Sequence, residues 1–206
     1  MSSGADETPR PAGPHRLLSR SARRARRAEV SDPAVVLSAA TRFLEARSRS
    51  MSETRRHLVA AGYRAELVER AVRQLAELGI LDDLAFSRAW VESRDRARPR
   101  GRRALRRELA LMGIPDAMIA QVLVEREEPP DVDPDEPVRR DQSADERAAE
   151  RLLDRKRAAL ARIPDLRVRR QRAYALLVRA GFESTVAARL AAAVIPTDDE
   201  GVADGG

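Results

Sequence analysis

The apolar residues of this chain recur every three or four positions over long stretches, which is the spacing of an amphipathic α-helix. The stretch 78–114 shows this pattern twice. Its first stripe is formed by Phe86, Ala89, Trp90, Ser93 and Ala97. Pro99 and Gly101 then interrupt the pattern. The second stripe is formed by Leu105, Leu109 and Met112. It ends at Gly113, a residue suited to a left-handed helix end, so the stretch predicts a hairpin of two helices.

The start of this hairpin carries its own signals. Gly79 follows an apolar run and predicts the end of the preceding helix. Asp82 or Asp83 can then accept hydrogen bonds from the free N–H groups at the start of the next helix. Capping accounts for this pair of carboxylates better than a metal or an acid–base role, because an anion stabilises a helix N-terminus.

A glycine signature occurs three times along the chain. In each copy a leucine stands four residues before a glycine that precedes a large apolar residue: Leu58-Gly62-Tyr63, Leu109-Gly113-Ile114 and Leu177-Gly181-Phe182. Six residues after each glycine stands a small or apolar residue, namely Val68, Ile119 and Ala187. Each unit is predicted to hold three helices, with the glycine ending the second. We therefore expect an all-α protein of tandem three-helix, helix-turn-helix-like repeats that form an elongated, curved array.

The repeat divides the chain into six segments. They are a disordered basic arm over 1–32, repeat 1 over 33–80, repeat 2 over 81–126, an acidic proline-rich linker over 127–142, repeat 3 over 143–195 and a disordered acidic tail over 196–206. The arm is interpreted as a solvated tail, with non-specific nucleic-acid contact as the alternative. The linker is either a spacer or an internal competitor that folds onto the basic helices.

Composition supports a helical protein. Aromatic residues make up 3% of the chain and apolar residues 43%, which suits helix packing better than sheets rich in aromatic and β-branched residues. The sequence has no cysteine, no apolar run long enough to cross a membrane and no secretory signal pattern, so a cytoplasmic location is expected. We also expect a monomer that does not bind membranes.

Arginine dominates the charge. The chain has 39 Lys and Arg residues against 33 Asp and Glu, and only Lys156 is a lysine. On a helical wheel, Arg103, Arg106 and Arg107 point away from the apolar stripe of the second hairpin helix. A face this poor in glutamate favours an anionic partner over a merely solvated surface. The residues expected to contact a protein partner or DNA are Arg94, Arg98, Arg102, Arg103, Arg106 and Arg107.

Catalytic chemistry is not expected. The chain has two histidines, His15 and His57, which cannot build a histidine-rich metal site or a histidine-based triad. No glycine-rich phosphate loop is present, so no nucleotide cofactor is expected. Trp90 and Phe86 are interpreted as core residues, and His57 as a residue of a helix surface.

These residues together resemble the central signature of the RecX regulatory proteins. The resemblance is carried by the run Leu78 to Asp83, followed by Phe86, Trp90-Val91, Arg94, Gly101-Arg102-Arg103, Glu108-Leu109 and Gly113-Ile114. It covers 34–126 well and 143–195 more loosely. Gly79, Asp82, Asp83, Phe86, Trp90 and Gly113 are its structural signature. The sequence departs from the family pattern at Met112, where a basic residue is common, and in its basic arm and acidic insert.

The resemblance implies a protein that binds the recombinase RecA on single-stranded DNA and restrains its ATP hydrolysis, strand exchange and co-protease activity. It implies neither enzymatic activity nor a cofactor, and direct DNA contact would be weak or non-specific. The alternative is a helical protein that acts directly on duplex or single-stranded DNA, because basic three-helix units also resemble helix-turn-helix modules. A third reading is a helical scaffold whose basic face is neutralised by its own acidic segments.

Overall fold

The computed structural model describes residues 19–127 and 142–194, and this part of the chain contains ten helices and no strand. The helices are α1 Arg20–Ala28, α2 Pro33–Glu45, α3 Met51–Ala61, α4 Ala65–Glu77, α5 Asp83–Ala97, α6 Arg102–Leu111, α7 Asp116–Glu125, α8 Ala144–Ala161, α9 Leu166–Arg179 and α10 Ser184–Ala192. The predicted all-helical fold is confirmed. The predicted linker lies almost entirely, and the predicted tail entirely, outside the described residues.

Side-chain caps set where several helices begin. Ser50 and Glu53 form a reciprocal capping box at the start of α3, which satisfies two backbone N–H groups that the helix itself leaves free. Asp32 caps α2, and Pro33 occupies its first turn. Asp82 caps α5 by accepting hydrogen bonds from the N–H groups of Leu84 and Ala85. Local sequence therefore marks where these helices begin.

The three repeated glycines end the second helix of each unit. Gly62, Gly113 and Gly181 have φ values of 108°, 82° and 89°, a region that side chains with a Cβ rarely adopt. After each glycine the next N–H bonds back to the carbonyl of the signature leucine, at 3.2 Å in all three units. Gly79 also has a positive φ of 69° and follows the C-cap residue of α4. The glycine signature was thus a correct prediction of helix ends.

The helices pack in three units. Unit 1 comprises α2, α3 and α4, unit 2 comprises α5, α6 and α7, and unit 3 comprises α8, α9 and α10, with the closest helix packing inside each unit. Val68, Ile119 and Ala187, the residues six positions after each glycine, are all fully buried. Each unit therefore buries the apolar stripes of its own three helices. The segment boundaries predicted from the sequence remain proposals.

Residues 20–28 correct one expectation. A disordered arm was predicted over 1–32, but α1 lies within it. Ser19 caps this helix by accepting from Ala22 N–H at 3.1 Å. Arg27 anchors it by donating to the carbonyl of Ala61 at 3.3 Å. The basic composition hid this helix because its order comes from contacts with unit 1.

Joint 1, defined as the contact between units 1 and 2, links the ends of their second helices. The hydroxyl of Ser50, at the start of α3, donates to the carbonyl of Met112, at the end of α6, at 2.7 Å. The carboxylate of Asp83, at the start of α5, accepts from Met51 N–H at 2.8 Å. One unit thus satisfies backbone groups that the other leaves unpaired.

Joint 2, defined as the contact between units 2 and 3, repeats this arrangement one unit later. Gly101 N–H, at the start of α6, donates to the carbonyl of Ala180, at the end of α9, at 3.1 Å. Both oxygens of Asp145, at the start of α8, accept from Arg102 N–H at 3.0 Å. The second helices therefore follow one another with the C-terminus of one against the N-terminus of another, which aligns their dipoles favourably.

Glycine gives both joints their close approach. A Cβ on Gly113 would lie 2.3 Å from the hydroxyl oxygen of Ser52. A Cβ on Gly101 would lie 2.3 Å from the carbonyl oxygen of Gly181. These distances are far below van der Waals contact, so any larger residue at these two glycines would push the units apart.

A buried arginine distinguishes joint 2. The side chain of Arg126 is 4% exposed and donates to Asp95 at 2.8 Å and to Asp145 at 2.6 Å. It also donates to the carbonyl of Arg100 at 3.2 Å. Burial lowers the pKa of Arg126, but hydrogen bonds and charge from Asp95 and Asp145 outweigh that effect and raise it overall. Arg126 therefore remains charged and ties α5, α7 and α8 together.

Candidate interface for an anionic partner

The predicted hairpin is formed by α5 and α6, joined by residues 98–101. Four of the six arginines expected to contact a partner are exposed on it: Arg98, Arg103, Arg106 and Arg107. We call these four the hairpin arginines. The exposure of Arg103, Arg106 and Arg107 follows from the apolar stripe of α6, because Leu105 and Leu109 are fully buried and these three positions lie on the other side of the helix.

The hairpin arginines have little compensating negative charge. Arg103 lies 3.8 Å from Glu183 and Arg106 lies 3.9 Å from Asp116, and all four of these side chains are largely exposed. Pairs of this kind contribute little, since water screens them. Within 19–127 and 142–194, Arg98 and Arg107 have no carboxylate partner. The hairpin arginines therefore form a surface whose positive charge is available to a partner.

Arg94 and Arg102 differ from the other four predicted residues because the structure uses them internally. Arg94 donates to Glu108 at 2.6 Å, and its guanidinium carbon lies 4.2 Å from the centre of the Trp90 ring. Arg102 donates its backbone N–H to Asp145 across joint 2, and its side chain donates to the carbonyl of Leu123 at 3.3 Å. Both residues hold the hairpin in place.

An open groove of about 640 Å³ lies where unit 1 meets the hairpin. Trp90 lines it and donates its indole N–H to Glu108 at 2.9 Å. On the opposite side, Phe43 and His57 stack with ring centres 3.7 Å apart. Partial burial is the main cause that lowers the pKa of His57, and the nearby charges of Arg49 and Arg27 lower it further. His57 is thus an exposed helix residue, as expected, but one that stacks and is disfavoured as a cation.

Exposed basic residues on α3 and in unit 3 were not part of the site predicted from the sequence. Arg56 is exposed on α3 and donates to the carbonyl of Leu111 at 3.2 Å, which places it beside the end of α6. The exposed cations of unit 3 are Arg151, Arg155, Lys156, Arg157, Arg162, Arg167, Arg170, Arg172, Arg179 and Arg189. The signal for them was the same as for the hairpin, namely arginines opposite an apolar stripe.

The carboxylates and histidines of the described residues do not gather into a group that could hold a metal ion. Asp83 and Asp145 are both buried and accept hydrogen bonds from backbone N–H groups at the joints. The sequence predicted a capping role for the Asp82-Asp83 pair. Asp82 has that role, whereas Asp83 satisfies the start of α3 in the neighbouring unit. Over the same described ranges, no helix combines the length and apolar character needed to cross a membrane.

The fold defines a class of protein built from tandem three-helix units that join through the ends of their second helices. The family model for the second three-helix domain of RecX matches residues 82–123, which span α5, α6 and most of α7. The crystal structure of RecX from Lactobacillus salivarius has a similar fold, with a TM-score of 0.56 and 15% identity, over 79% of this chain and 96% of that chain.

Curated relatives agree with this class. A regulatory protein RecX from Mycobacterium sp. (strain JLS) is 34% identical over 150 residues, which are 71% of this chain and 74% of the relative. Another, from Prosthecochloris aestuarii (strain DSM 271 / SK 413), is 37% identical over 95 residues, which are 46% of this chain and 63% of the relative. The chain thus spans less than two thirds of the latter. It belongs to the RecX family of regulatory proteins, and the resemblance found in its sequence is confirmed.

Proposed function

We propose that this protein binds the filament that RecA forms on single-stranded DNA and restrains its ATP hydrolysis, strand exchange and co-protease activity. The hairpin arginines are the contact in this proposal, and they face acidic surfaces of the filament or its phosphates. The observation that supports it best is the surplus of exposed positive charge on the hairpin of a RecX family member.

Tandem units suit a repeating partner. The second helix of each unit carries at least one exposed arginine, and the joints hold successive units in a fixed relation. Successive units can therefore contact successive positions along a filament, and linked weak contacts reinforce one another without any single strong one. Exposed arginines suit this role because a field of fixed charge accelerates encounter and weakens with salt.

The test is a titration of this protein into RecA hydrolysing ATP on single-stranded DNA, at substoichiometric and then equimolar ratios. The triple variant R103E/R106E/R107E is compared with R42E/R70E/R73E, which changes charge equally at exposed positions of unit 1. We expect suppression by the native protein, and a roughly tenfold weaker effect for the hairpin variant, since three exposed charges at about 0.5 kcal/mol each sum to about 1.5 kcal/mol.

Binding to bare DNA, measured alongside, separates the proposal from direct action on DNA. A filament regulator is expected to bind bare DNA weakly and with a steep dependence on salt. Unchanged inhibition by the hairpin variant would contradict the assigned contact. Absence of any inhibition, together with tight binding to a defined duplex over competitor, would contradict the function and favour a DNA-binding protein instead.

A further inference from the structure

We propose that α1 is a nucleic-acid-binding helix that holds a phosphodiester backbone through Arg20, Arg23 and Arg26. This site lies on a different element from the hairpin arginines. It goes beyond the proposed function because it predicts contact with bare DNA in the absence of RecA.

The position of α1 is fixed by a hydrogen bond to the same kind of carbonyl that the joints use. In units 2 and 3, the carbonyl just before the helix-ending glycine bonds the start of the preceding unit's second helix. In unit 1 the corresponding carbonyl is that of Ala61, and Arg27 of α1 is its donor. A Cβ on Gly62 would lie 2.7 Å from the carbonyl oxygen of Arg24. Helix α1 therefore contacts unit 1 at the carbonyl that a preceding unit would use, but through the side chain of Arg27 in its last turn.

This docking uses Arg24 and Arg27 and leaves three other cations of α1 exposed. The guanidinium of Arg27 lies 5.5 Å from the ring centre of Tyr63, and Arg24 packs on Gly62. The side chains of Arg20, Arg23 and Arg26 are exposed, and no carboxylate or carbonyl of the described ranges pairs with them. Docking therefore orders the helix without neutralising it.

The helix is electrostatically unfavourable without an anion. No acidic residue stands in its first turn, where an acid would stabilise the helix dipole and a cation opposes it. Arg20 and Arg23 are three residues apart, as are Arg23 and Arg26, and like charges at this spacing repel. A chain of phosphates across these side chains would relieve both effects.

The composition of α1 selects the class of partner. Its nine residues are arginine, alanine and serine, and none of them is buried. Protein interfaces are anchored by large aromatic or apolar side chains, and membrane-surface helices bury a broad apolar face. Helix α1 offers neither. It spans about 13 Å, which matches about four phosphates of one strand of B-form DNA.

The experiment measures binding of the full-length protein to a fluorescent oligothymidine and to a duplex of equal length, without RecA, over a series of salt concentrations. The variant R20Q/R23Q/R26Q keeps Arg24, Arg27 and the helix-favouring character of the segment. We expect the slope of log K against log salt to become shallower by about 2 on the single strand, because each lost contact removes about 0.7. The slope measured on the duplex is expected to become shallower by slightly more.

Two controls make the result specific. The variant R42Q/R70Q/R73Q removes equal charge from exposed positions of unit 1 and is expected to keep the native slope. The variant R20K/R23K/R26K keeps the charge and is also expected to keep it, since lysine binds phosphate as a point charge. An equal decrease of the salt slope in R20Q/R23Q/R26Q and in R42Q/R70Q/R73Q would overturn the proposal. So would an unchanged DNA slope with weakened inhibition of RecA, which would make α1 a protein contact.

Discussion

Joint 1 and joint 2 bring equivalent backbone groups together, but they satisfy them with different chemistry. Joint 1 uses the hydroxyl of Ser50 and a single buried carboxylate, that of Asp83. Joint 2 replaces the serine with Gly101, whose own N–H makes the bond, and pairs Asp145 with the buried Arg126. The comparison shows that both joints share one backbone arrangement, while the side chains set how strongly each joint depends on charge.

Loss of the arginine of joint 2 is expected to have the largest effect. In R126Q the carboxylate of Asp145 stays buried without its cation, and removing one partner of a buried pair costs about 3–5 kcal/mol. Chemical unfolding measures the loss. The control R96Q breaks an exposed pair within α5 and is expected to cost about 0.3–0.5 kcal/mol. Similar values for the two variants would show that joint 2 does not depend on its buried charge.

Replacement of the glycine at joint 2 is expected to have the second-largest effect on stability. G101A introduces a methyl group 2.3 Å from the carbonyl oxygen of Gly181, and overpacking of this kind costs about 1–3 kcal/mol. Gly101 has an ordinary φ of −74°, so backbone strain does not contribute. Limited proteolysis should then separate unit 3 from the rest more readily. Native resistance to protease and an unchanged unfolding free energy would contradict the close approach at joint 2.

The contribution of the Ser50 hydroxyl to joint 1 can be measured by comparing two serine-to-alanine variants. Ser50 and Ser143 both form capping boxes, but only Ser50 also donates across a joint. S50A is therefore expected to destabilise more than S143A, by the value of one hydrogen bond, about 0.5–1.5 kcal/mol. The two unfolding free energies are compared in the same buffer. Equal losses would assign the whole effect of Ser50 to capping α3.

The carboxylate of joint 1 gives the smallest effect, visible through pH. Burial is the main cause that raises the pKa of Asp83, opposed by the hydrogen bond from Met51 N–H and the charge of Arg55. The native state therefore keeps this proton to a higher pH than the unfolded chain does. Stability relative to D83N should be greatest below pH ~4, the usual range of an aspartate, and should fall as pH rises through the raised value.

Unfolding of the native protein and of D83N at a series of pH values from acid to neutral gives this difference directly. A difference that rises with pH would mean that ionised Asp83 stabilises joint 1. That result would make the two joints alike in their dependence on charge.

Sequence alone determined the three helices of each unit, their ends and the repeat. Caps such as Ser50 and Asp82 act on N–H groups within three residues, and a positive φ at Gly113 is a property of one residue, so these features leave a local signature. The outward direction of Arg103, Arg106 and Arg107 also followed from the period of α6. The family and the all-helical fold were predicted from these patterns.

Only the tertiary structure decided how the units join and which arginines are paired. Asp145 and Arg102 are 43 residues apart, and nothing in either neighbourhood indicates that they meet. Arg94 and Arg107 look equivalent in the sequence, yet Glu108 and Trp90 engage Arg94, whereas Arg107 has no carboxylate partner among the described residues. Helix α1 was hidden for the same reason. Periodicity records which face of a helix is buried, whereas pairing between units depends on the distances that folding creates.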